Sequence, residues 1–198
     1  MVRGMKTHKT WAERWLWLGV FAIAAAGVYS LVPVIGRTPQ LKSLPIAQKL
    51  FDVALVVHVD LSVLIWFLAM LCMGVAGLMT RHAARWPLWQ GAGFWAVAVA
   101  TVLMAASPLG AWVPVKSNYI PVLHNPIFLL SLGLLMAGLL VTLIPPVVAY
   151  ASTAARRGLD AAELGWLVAA WVALGFGLRA MGSDPHIPGA WELFLWLL

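Results

Sequence analysis

The chain has 198 residues, of which 63% are hydrophobic and 10% charged, where soluble domains hold about 45–50% and about 25%. These proportions exclude a soluble globular domain, and they equally exclude a disordered chain, a coiled coil and a collagen-like repeat. The net charge of +6 gives no reason to expect nucleic acid as a partner. The basic residues sit in short segments between apolar runs, where Lys and Arg orient helices against the cytoplasmic face of a membrane.

Apolar runs of about 20 residues, the length needed to cross a bilayer, predict an all-α, polytopic membrane helix bundle forming a single transmembrane domain over residues 1–198. The expected spans are Trp15 to Ile35, Phe51 to Met79, Pro87 to Ala106, Ile127 to Tyr150 and Ala161 to Ala180. A sixth segment, Ile187 to Leu198, covers only ~18 Å as a helix, short of a ~30 Å hydrocarbon core. The expectation is therefore five full transmembrane helices and a truncated sixth. The first run follows Arg3, Lys6, Lys9 and Arg14 as a signal peptide would, but it continues through Tyr29 and Val34. It is longer than a cleaved apolar core and reads as a retained helix.

With the N-terminus inside, eight basic residues (Arg3, Lys6, Lys9, Arg14, Arg81, Arg85, Arg156, Arg157) lie inside and five (Arg37, Lys42, Lys49, Lys116, Arg179) outside. That asymmetry favours a cytoplasmic N-terminus in a bacterial inner membrane. The lone Cys72 lies within an apolar run, so neither a disulfide framework nor a Cys-based metal or covalent heme site is expected.

Polar groups inside a bilayer are functional candidates, because they are costly to keep there. His58, in the run Val57-His58-Val59-Asp60-Leu61-Ser62, is the foremost. A neutral imidazole there can ligate iron through one nitrogen while a neighbouring acceptor orients the other, or it can simply bond a carbonyl of an adjacent helix. Asp60 points about 200° away from His58 around a regular helix, which leaves a hydrogen bond to another helix or a proton-accepting role. Glu192 is either part of a proton route or a buried acid near the interface. His8 and His82 fall in basic segments, and His82 is ~36 Å of helix from His58. His124 and His186 precede later spans and read as interfacial. Trp11, Trp15, Trp17, Trp86, Trp89 and Trp112 are expected at headgroup level, Trp66 deeper among helices, and Pro33, Pro145 and Pro146 where spans kink or end.

The order His58-x-Asp60-Leu61-x-x-Leu64-Ile65-Trp66-Phe67-Leu68-Ala69, followed by Gly74-x-Ala76-Gly77, resembles the second helix of subunit I of the heme-copper oxidase superfamily, in the branch near the nitric oxide reductases. Asn118-Tyr119-Ile120-Pro121-Val122-Leu123 and Trp191-Glu192-Leu193-Phe194-Leu195-Trp196 add to it. The resemblance covers only the N-terminal part of such a subunit. It implies a respiratory terminal oxidase, similar to cytochrome c oxidase subunit I, in which His58 is an axial ligand of a low-spin heme, b-type or a-type, and passes electrons onward. The second axial ligand, the high-spin heme ligand and the copper ligands would belong to later helices, so no copper site is expected here. The partners implied are other oxidase subunits or a chain supplying those helices. The alternative is a non-catalytic membrane scaffold or assembly subunit without heme. A transporter fits less well, since paired intramembrane charges and an inverted repeat are lacking.

Overall fold

The computed structural model describes residues 2–40, 44–79, 87–110, 114–115 and 121–157, with isolated positions between 161 and 172. Its elements are α1 (Val2–Gly36), α2 (Pro45–Val59), a π-helical segment (Asp60–Ile65), α3 (Trp66–Met79), α4 (Pro87–Ala106), β1 (Pro114–Val115), β2 (Val122–Leu123) and α5 (Pro126–Arg157). The helix α2, the π segment and α3 run on as one rod, and β1 and β2 pair antiparallel in a small hairpin between α4 and α5.

The protein is an integral membrane protein, and its described residues contain four helices long and apolar enough to cross a bilayer: Trp11–Gly36, Gln48–Gly77, Leu88–Leu109 and Pro126–Pro145. This corrects the expectation of five full spans and a truncated sixth. The fifth span rests on run length alone, in a stretch where nine of twenty residues are Ala or Gly, which contribute far less to insertion than Leu, Ile or Phe. Ala161 to Ala180 lies outside the described residues except at scattered positions, and Ile187 to Leu198 lies wholly outside them.

The first span packs against the second along most of its length and also touches α4; α4 pairs closely with α5, and α5 reaches back to α3. Contacts fix the directions. Trp15 meets Phe94 near the start of α4 at 5.2 Å between ring centroids, and the Tyr29 hydroxyl donates to the Ala105 carbonyl near its end. The first and third spans are therefore parallel. His58 meets Ala26 while Gly19 faces Ala69 and Met70, so the second span runs the other way. Apolar side chains such as Trp17, Phe21, Val28, Leu31, Trp95 and Val102 remain exposed, as a lipid-facing surface requires.

Lipid tails are as apolar as the helices, so association needs close van der Waals approach. It is closest between α4 and α5. A Cβ added to Gly93 would lie 2.0 Å from the Thr142 hydroxyl and 2.8 Å from the Gly138 carbonyl, and one added to Gly138 would lie 2.8 Å from the Gly93 carbonyl. Thr142 turns its hydroxyl back on the Gly138 carbonyl at 2.7 Å. By contrast, a Cβ at Gly133 would meet nothing within 4 Å.

Gly93→Leu should separate α4 from α5 and cost on the order of 1–3 kcal/mol, as overpacking does, while Gly133→Leu should be tolerated. Thermal unfolding in detergent micelles checks the pair; equal loss from both would contradict the close contact.

Candidate functional site

Buried polar groups lie at the end that carries the hairpin, Ser107 and Asn125 among them. Asn125 starts α5 there: its Oδ1 accepts from the Phe128 N–H at 2.8 Å and its Nδ2 donates to the Ser107 carbonyl at 3.1 Å. With Pro126 at the first helical position this is a strong helix start, and it also ties α5 to the end of α4. Ala105 can accept from Tyr29 because α4 gives way to a 3-10 turn at Ser107–Leu109, which frees carbonyls that a continuing helix would use.

His58 is half-buried, and its Nδ1 lies 2.8 Å from the Ala26 carbonyl of α1. Of the two arrangements open to this imidazole, the described geometry contains the bond to a neighbouring helix. As the carbonyl can only accept, Nδ1 carries the proton, and Nε2 takes no part in this tie. Ser62, one turn on, donates to the His58 carbonyl at 2.7 Å and approaches that of Val59 at 3.3 Å.

The rod changes its winding immediately after His58. The Asp60 N–H reaches both the Val56 and Val57 carbonyls, and the Trp66 N–H reaches those of Leu61 and Val63. Such π turns insert one residue into a helix and recur at functional sites. Asp60 opens the turn and is fully buried, and neither carboxyl oxygen has a hydrogen-bond partner among the described residues. Of the two roles open to Asp60, the bond to an adjacent helix is thus not found among the described residues. At the opposite end of the bundle, the Trp15 Nε1–H and the Gln90 amide are likewise buried without partners among the described residues. Trp15, expected at headgroup level, is instead a core residue against Phe94, because it faces α4 and not lipid. Trp17, two residues on, does face outward.

Among the described residues no other candidate histidine joins His58. His124 is exposed on the connection between β2 and α5, and Cys72 is a buried free thiol in α3. His82, His186 and Glu192 lie outside the described residues, and His8 lies in α1 with a side chain that is not described. Among the described residues no group of three or more His, Cys, Asp or Glu comes together as a metal would require. The π turn, the Asn125 cap and the Gly93 contact were missed in the sequence. Only the cap had a local signal, in Asn125 followed by Pro126.

No protein-family model matches the chain, and no solved structure matches it. It is similar to an uncharacterized protein of Rickettsia prowazekii (strain Madrid E), RP382, with 36% identity over 152 residues. The alignment covers 65% of this chain and 30% of that relative. The chain thus spans less than a third of the length of the relative it matches.

Replacing His58 by Ala removes the tie to α1 and should cost about 0.5–1.5 kcal/mol, the range for hydrogen bonds between membrane helices. Asn, whose amide falls near the position of Nδ1, should recover part of that stability, and Gln, which reaches toward Nε2, should recover less. Melting temperatures of the three variants in one detergent test the ordering.

Proposed function

We propose that the chain serves as a non-catalytic, heme-free scaffold module of a larger membrane assembly, with His58 as a structural tie between its first two spans. The observation that carries this reading is the bond from His58 Nδ1 to the Ala26 carbonyl. It gives the imidazole a complete structural job, with no metal-binding cluster among the described residues. The greater length of the Rickettsia relative supports placing such a module within a larger architecture. The distribution of basic residues supports a cytoplasmic N-terminus in a bacterial inner membrane.

A second reading has one observation in its favour. A histidine that ligates iron usually donates its other N–H to a carbonyl or carboxylate, and His58 is anchored in that way, with Nε2 uninvolved in the tie. On this reading His58 would be the single protein ligand that this chain offers a low-spin heme, b-type or a-type, in a terminal oxidase resembling cytochrome c oxidase subunit I. Other oxidase subunits or a chain supplying later helices would hold the second axial ligand. The group, when bound, would supply one-electron transfer, and the chain's own part would be to fix the ring through Ala26.

Reduced-minus-oxidised optical spectra of the purified protein, alone and co-expressed with candidate partner subunits, separate the two readings. The scaffold reading predicts no heme Soret band and normal assembly of His58→Asn. A Soret band in the wild type that His58→Asn abolishes while still folding would overturn it in favour of the second. For orientation, a reporter fused after Lys116 should read outside and one after Arg157 inside; the reverse pattern would contradict a cytoplasmic N-terminus.

A further inference from the structure

Asp60 occupies the most demanding position in the bundle. It is fully buried on the second span, at the first residue of the π turn, with both carboxyl oxygens lacking a hydrogen-bond partner among the described residues. Buried polar groups in native proteins are paired with protein atoms or with ordered water. What lies at the same depth can be read from the contacts between helices. Asp60 is ~3 Å of rise beyond His58, which is level with Ala26; Thr101 is ~6 Å before Ala105, which is level with Tyr29, itself ~4.5 Å from Ala26. Asp60 and Thr101 therefore lie within ~2 Å of the same depth, and the π segment packs against α4.

Thr101 is fully buried too, and its hydroxyl hydrogen is given to the Val97 carbonyl at 2.8 Å. Its oxygen can still accept. The Asp60 oxygens make no hydrogen bond to it among the described residues, so a link between the two side chains needs a bridging molecule, and one with two donors can bond a carboxyl oxygen and the Thr101 oxygen together. Small residues lie near this depth: Ala22 and Ala26 on α1 and Ala100 on α4 are all buried, and the π turn adds a residue to the second span.

We infer that Asp60 and Thr101 form an internal binding site for a water molecule, which donates one hydrogen to an Asp60 carboxyl oxygen and the other to the Thr101 hydroxyl oxygen. A polar site with two or more partners is where buried waters are held. The bridge joins the π turn to α4. It complements the His58 tie, which joins the same stretch of the second span to α1, so the two together fix this stretch on both sides.

Water-edited solid-state NMR of the full chain in liposomes, with 13C-labelled Asp and Leu, tests the site. The Asp60 carboxyl carbon is assigned by its disappearance in Asp60→Asn. It should receive magnetisation from water several-fold faster than the methyl groups of the buried Leu135 and Leu139. Thr101→Val should slow that transfer several-fold, and Thr101→Ser, which keeps the hydroxyl, should restore it. Transfer in the wild type as slow as to those leucines would show a dry site and overturn the proposal whatever the variants do. Fast transfer that Thr101→Val leaves unchanged would overturn the assignment of Thr101 as the second partner.

Discussion

In hydrocarbon a helix satisfies its own backbone but has no hydrophobic driving force for burying apolar side chains against another helix. Everything in this bundle depends on how that constraint is met. Between α4 and α5 it is met by removing side chains, so that Gly93 and Gly138 bring two backbones together. Between the first span and its neighbours it is met by hydrogen bonds to main-chain carbonyls, from His58 to Ala26 and from Tyr29 to Ala105. Both of these side chains come from polar residue types that would be expensive if they faced lipid.

The two strategies act on different parts of the molecule. The glycine contact lies toward the end where α1 and α4 begin, and the side-chain ties gather toward the hairpin end, where Asn125 also bridges α5 to Ser107. The π turn lies in the tied half. By inserting one residue between His58 and α3, it changes which residues face inward. Leu61, Leu64 and Ile65 fill the core beside a fully buried Asp60, and Val63 and Phe67 face outward. A structural role for His58 and a ligand role place the same demand on this half: a ring held by Nδ1 in a fixed orientation. That is why the tie alone supports a scaffold while leaving a specific observation in favour of the second reading.

The four described spans were legible in the sequence because length and hydropathy depend only on the local chain; Phe51 to Met79 and Pro87 to Ala106 match the observed rod and α4 closely. The expected span Ile127 to Tyr150 already passed through Pro145 and Pro146, but the continuation of α5 to Arg157 was not legible, since run length marks the apolar stretch and not where the helix ends. Trp15 and Trp17 show the same limit. They sit two residues apart and only the bundle decides that one is core and the other faces lipid. The candidate site was half legible: His58 and Asp60 stood out as polar residues in an apolar run, but the partner carbonyl at Ala26 has no side-chain signature, and a regular helix gave no hint of the π turn.

The central claim is that the His58 ring is fixed by an Nδ1–H bond to Ala26. Nitrogen NMR of the protein labelled with 15N-histidine tests it most directly, the His58 signals being identified among the five histidines by subtraction of the His58→Asn spectrum. A neutral ring with the proton on Nδ1, showing through-bond or close through-space correlation to the 13C-labelled Ala26 carbonyl, is the predicted result. A proton on Nε2 with Nδ1 bare, or no correlation to Ala26, would contradict it.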